Sequence, residues 1–153
     1  MLRIRLFAVI AALLICVGCQ ATPLEKRIDD IQRSEKTCFE NACNIAEARA
    51  QYNLPTNIVL AFASGEAIGA QGWHAYWRDE NGELYDTVRQ YVDWDHFPPM
   101  AYPLLEFQWK PDMVLTQDGK TLEAAPYFKI EFESAHWSTY RIVYGKEFIK
   151  KLD

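Results

Sequence analysis

Hydrophobic and polar positions divide the chain into three regimes. Residues 6–17 form an unbroken apolar run, LFAVIAALLICV, preceded by Arg3 and Arg5 and followed by Gly18 and Cys19. Residues 24–36 then set Leu24, Ile28 and Ile31 among charged neighbours, a narrow stripe at helical spacing, and residues 43–52 are rich in Ala and Glu. These two pieces predict a helical hairpin or one kinked helix. From residue 57 the period changes. The run NIVLAFA (57–63) is apolar on both faces and β-branched at Ile58 and Val59, which predicts a central buried strand. A buried helix opened by Pro55 is the competing reading.

Alternation then continues to the end. Asn81-Gly82 is a type I′ turn signal. A two-residue turn there sets Trp77 opposite Asp86, Ala75 opposite Val88 and Trp73 opposite Gln90. One face of that hairpin carries Trp73, Ala75, Trp77, Leu84 and Val88. The other carries His74, Tyr76 and Arg78 against Arg89, Thr87 and Tyr85, with Tyr91 beyond. Residues 93–103, DWDHFPPMAYP, hold three prolines and predict a stiff aromatic loop. Leu105, Phe107 and Trp109 alternate with polar residues, as do Phe128, Ile130 and Phe132, and Tyr140, Ile142 and Tyr144. Asp118-Gly119 predicts a second hairpin, pairing Leu115 with Leu122 and Met113 with Ala124. Helices followed by strands predict an α+β domain, with N-terminal helices packed on a curved antiparallel sheet of about six or seven strands, as in a cystatin-like roll.

The opening run is too short to span a bilayer, which takes about 20 apolar residues, and has the layout of a secretory signal. Cys16-Val17-Gly18-Cys19 resembles the lipobox of bacterial lipoproteins, with Cys16 where that family prefers an aliphatic residue. The resemblance implies cleavage before Cys19, lipidation of Cys19 and an outer-membrane destination, because Gln20 follows where Asp favours inner-membrane retention. The organisation expected is a signal over 1–18, a tether over 19–23 and a single domain over 24–153. An ordinary signal cut near Ala21, or an uncleaved anchor, is the alternative.

Loss of eighteen residues takes the chain from 153 to 135. Loss of Arg3 and Arg5 takes the basic residues from 16 to 14 against 21 acidic ones, a net charge of −7. An acidic chain is repelled by nucleic acid and by anionic lipid, so the expected membrane contact is the lipid on Cys19. Cys38 and Cys43 then remain. In an oxidising compartment they would pair if the chain breaks between them. On a continuous helix their side chains would point about 140° apart and stay free.

Chemical motifs are sparse. His74, His96 and His136 share no metal-ligand spacing, even with Asp93 or Asp95 in reach, and no metal or other cofactor is expected. Ser34, Ser64, Ser134 and Ser138 lack a nucleophile motif. A cysteine nucleophile is excluded if Cys38 and Cys43 pair. Ser64-Gly65-Glu66 faintly looks like the helix end of lytic transglycosylases, departing from it at Ala67. It carries the enzymatic alternative, a small cell-envelope glycan hydrolase using Glu66. The main expectation is a non-enzymatic envelope module that binds or assembles a protein or glycan. Its partner surface would be the ribbon His74, Tyr76, Arg78, Tyr85, Arg89 and Tyr91 with Trp94 and Phe97 of the following loop, since Tyr, Trp and Arg dominate binding hot spots. If the helices cover that face, Tyr76, Tyr85 and Tyr91 are core instead.

Overall fold

The computed structural model describes residues 21–34, 36–65, 70–88, 102–118, 120–133 and 139–152. Two helices come first in these residues, α1 (Pro23–Gln32) and α2 (Cys38–Ala50). Nine strands follow them: β1 (Asn57–Gly65), β2 (Ala70–Arg78), β3 (Leu84–Asp86), β4 (Tyr102–Gln108), β5 (Val114–Gln117), β6 (Thr121–Ala125), β7 (Phe128–Phe132), β8 (Tyr140–Tyr144) and β9 (Lys150–Lys151). A 3₁₀ turn, Lys146–Phe148, precedes the last strand. The class is α+β. The expected single sheet of six or seven strands is corrected to two antiparallel sheets, ordered β3-β2-β1-β4-β9 and β5-β6-β7-β8. The meander breaks because β4 returns to pair with β1, and a turn through Pro111 separates β4 from β5. Among the described residues, no helix is long and apolar enough to cross a membrane.

β1 is the strand its apolar run predicts. It pairs with β2 on one side and β4 on the other, and Ile58, Val59, Leu60 and Ala61 are all fully buried. The main core forms where Ile58, Leu60, Ala75 and Phe107 meet Phe39 and Ala42 of α2 and Leu122, Phe128 and Ile130 of the second sheet. Phe107 and Phe128 join the two sheets edge to face, with centroids 4.8 Å apart. On the other face of the first sheet, Val59, Ala61 and Tyr76 pack with Leu84 and Leu152.

Both helices begin on capping boxes. Thr22 and Glu25 close α1, and Thr37 and Glu40 close α2, each threonine accepting from the N3 amide while the glutamate accepts from the cap amide. Helix therefore starts at Pro23, inside the expected tether, and α2 starts five residues before residue 43. This overturns the disulfide. α2 is continuous through both cysteines, which stand as free thiols on different sides of the helix.

Candidate active site

The β2–β3 hairpin decides what faces what. Its loop has three residues, not two. Asp79 N–H donates to Glu83 O at 3.0 Å and Gly82 N–H to Asp79 O at 3.1 Å, with Gly82 in the left-handed region at φ 89°. The Asp79 carboxylate locks this turn by accepting from the Asn81 and Glu83 amides, each at 2.9 Å. Tyr76 consequently pairs with Asp86, Trp77 with Tyr85 and Arg78 with Leu84. A slip of one residue moves every side chain of β3 to the other face.

The expected aromatic-basic ribbon is corrected by that slip. Tyr85 lies on the face of Trp77, stacked on it with centroids 4.3 Å apart, and is exposed. His74 and Tyr76 are buried, each 7% exposed. Arg78 is half-buried and donates to Glu106 and to Gly82 O. Both faces of β2 are thus covered. Arg89, Tyr91, Trp94 and Phe97 lie outside the described residues, as do Cys19, Glu66, His96 and His136.

In place of a ribbon, the slip assembles a thiol, an imidazole and a carboxylate. Asp86, at the end of β3, meets His74 across the ladder, with Oδ1 at 2.9 Å from Nε2. Both side chains are about nine-tenths buried, 9% and 10% exposed. The Cys38 thiol, at the first position of α2, lies near enough to the His74 ring to favour its charged form. Burial opposes a charge on His74, but the bonds to Asp86 and then Cys38 outweigh it and push its pKa up to about 9. The ring is therefore an imidazolium at neutral pH. Tyr76 sits edge-on to it at 4.8 Å. Burial, with Asp86 and Cys38 nearby, pushes the Tyr76 hydroxyl up to about 12, so the phenol stays neutral.

No protein-family model, no curated protein and no solved structure matches this chain. The chemistry of the three side chains carries the reading. Asp86 is held on three counts: its carboxylate accepts from His74 and from the Val88 amide at 2.9 Å, and its carbonyl accepts from Gln32 Nε2 at 2.7 Å. Cys38 stands at the positive end of the α2 dipole, where the first amides of a helix have no acceptor in the helix itself. Among the described residues, no three His, Cys, Asp or Glu side chains are grouped to hold a metal ion. A groove of about 680 Å³ opens between α2 and the β4–β5 turn, lined by Phe39, Cys43, Trp109 and Met113. It contains none of the three residues.

Of the site, sequence reasoning singled out only His74 as a functional group. The sequence pattern offers Cys38 as half of a disulfide or a free thiol, and Asp86 as the partner of Trp77. One local signal for the thiol was present: Thr37-Cys38-Phe39-Glu40 is a capping-box pattern, which sets Cys38 at a helix start and argues against a break before residue 43.

Proposed function

We propose that the protein is a cysteine-dependent acyl-transfer enzyme acting on an amide or ester bond. Cys38 is the nucleophile, His74 the acid and base, and Asp86 the residue that orients the imidazole. The observation that carries this is the buried His74–Asp86 pair, 2.9 Å apart, beside the helix start that bears the Cys38 thiol. A thiol activated by an imidazole that is itself held by a third polar group is recognised by geometry and roles, whatever the fold.

In the first half-reaction the thiolate sulfur attacks the substrate carbonyl carbon. A C–S bond forms and the carbonyl π pair moves to oxygen. The tetrahedral intermediate collapses, the bond to the leaving group breaks, and the His74 imidazolium gives its proton to the departing amine or alcohol. A thioester remains. In the second half, His74, now neutral, takes a proton from water or an acceptor amine as that nucleophile attacks the thioester carbon. The C–S bond breaks, the sulfur leaves with the bonding pair and the imidazole is protonated again. Asp86 holds the imidazole through Nε2 throughout.

The lipobox-like Cys16-Val17-Gly18-Cys19 supports anchoring to the bacterial outer membrane through a lipid on Cys19, which would put this chemistry among the peptides and glycans of the envelope. A non-enzymatic binding module in the same location is the second reading, favoured by exposed Tyr85 stacked on Trp77. The finer architecture, helices laid on a curved sheet as in a cystatin-like roll, is likewise a proposal, supported by Phe39 and Ala42 packing against strand residues.

p-Nitrophenyl acetate separates the readings. The enzyme reading expects a burst of nitrophenol and an acetyl thioester on Cys38. Both should be absent in Cys38→Ala and His74→Ala, and the burst should slow by about 100-fold or more in Asp86→Asn. A wild-type protein without the thioester, or a burst that survives Cys38→Ala, would overturn it.

A further inference from the structure

The side chain of Asn41 is the fully buried polar group of α2, less than one turn beyond Cys38. Its Nδ2 donates to Thr87 O at 3.0 Å, and its Oδ1 accepts from Ser34 Oγ at 2.9 Å. Thr87 is itself fully buried, and its Oγ1 donates to Ala75 O at 2.6 Å. These bonds form one chain, and its members flank the site. Asn41 shares a helix with Cys38, Thr87 follows Asp86, and Ala75 follows His74.

The position of Thr87 explains why such a chain is needed. β3 has only three residues, and its ladder with β2 ends at the Tyr76–Asp86 pair. The acid therefore sits where strand pairing stops. Beyond it the main chain is held by a side chain from α2, the helix that carries the thiol. A buried amide that reaches 46 residues along the chain to bind the carbonyl next to the acid ties two catalytic elements to each other directly.

We propose that Asn41 is a positioning residue for the Cys38–His74–Asp86 site, fixing the helix that bears the thiol against the strand end that bears the acid. This rests on the acyl-transfer reading. Its role is to keep Asp86 aimed at Nε2, so that the imidazole holds its orientation against the helix that bears the thiol. Loss of the amide lets the strand end drift and weakens the thiol–imidazole pair, while the core remains packed.

Iodoacetamide alkylation of the full chain tests this, with modification of Cys38 and Cys43 read separately by peptide mass from about pH 5 to 10. Asn41→Leu keeps the bulk of the side chain without its hydrogen bonds, and Ser34→Ala removes only the donor to Oδ1. The Asn41 variant should alkylate Cys38 about tenfold more slowly at neutral pH, part of the roughly 10²–10⁴ that a positioned base contributes. Its Cys38 rate profile should shift toward alkaline pH, and Ser34→Ala should move it the same way by less. Cys43, half-buried on the same helix with its pKa pushed up to about 12, is the internal control and should stay slow. Faster Cys43 labelling would show a merely structural role and overturn the proposal. So would wild-type Cys38 profiles in both variants when His74→Ala changes that profile. A profile unchanged in His74→Ala would instead overturn the acyl-transfer reading itself. If Asn41→Leu does not fold, the Ser34→Ala profile decides.

Discussion

His74 is the residue whose environment departs furthest from an ordinary surface histidine. Its ring is buried, yet it carries a charge to about pH 9, because Asp86 and then Cys38 bond it strongly enough to offset the cost of burial. A pKa raised from 6.5 to about 9 stabilises the folded state fully below about pH 6.5, and that contribution is lost as pH rises through 9. Cys43 acts in the same sense at higher pH, since its thiol ionises more readily in the unfolded chain than when buried. The urea midpoint should therefore fall between about pH 6.5 and 9.5, and His74→Ala should remove most of that slope. A midpoint that is flat in the wild type would contradict the charged pair. Catalysis by the proposed route should decline over the same alkaline range, as the imidazolium that protonates the leaving group is lost. His74 was legible as a candidate because histidines are few. Its partners were not, because nothing local to Cys38 or Asp86 states that a helix start and a strand end will meet it.

Among the elements, the two hairpins show what a turn motif does and does not determine. Asn81-Gly82 and Asp118-Gly119 both mark real turns. At the second, Asp118 pairs with Thr121, because its carboxylate accepts from the Lys120 and Thr121 amides at 2.7 Å. Leu115 then pairs with Ala124 and not with Leu122, a shift of two residues that leaves every side chain on its predicted face. At the first, the shift is one residue and every face is exchanged. The carboxylate of Asp79 makes that difference by selecting a three-residue loop. Asp79→Ala should remove this selection, cost about 1 kcal/mol, and let the two-residue register compete. In that register Asp86 leaves the face of His74, so Cys38 alkylation should slow along with the loss of thermal stability. A variant less stable but equally reactive at Cys38 would show that the register holds without the aspartate. The start of α2 is a similar case. The Ala- and Glu-rich composition located a helix, but the capping pair Thr37 and Glu40 set its first turn, and that turn carries the thiol.

For the whole molecule, two sheets share one core, and the second sheet is tight where the end of β8 meets the start of β7. Gly145 has φ 76°, and a Cβ built there would lie 1.9 Å from Tyr127 O and 2.7 Å from the Phe128 Cα. Gly82 has a similar φ of 89° but open space around it. Gly145→Ala should thus destabilise by about 3 kcal/mol or more, from backbone strain plus overpacking beside Phe128, and Gly82→Ala by only about 1 kcal/mol. Thermal melts of the two variants test the contrast, and equal shifts would contradict it. On this scale the division between sequence and structure is clear. Hydrophobic period alone determined the α+β class, the buried β1 and the alternating strands, because burial of apolar side chains is a local demand that each segment states for itself. The sequence also placed the two turns to within a residue or two. Only the tertiary structure decided that the strands divide into two sheets, that Cys38 and Cys43 stay apart, and that Cys38, His74 and Asp86 come together. Those outcomes depend on register and on which distant elements share an edge, and a one-residue choice at Asp79 is enough to bury His74 against Asp86 in place of a surface ribbon.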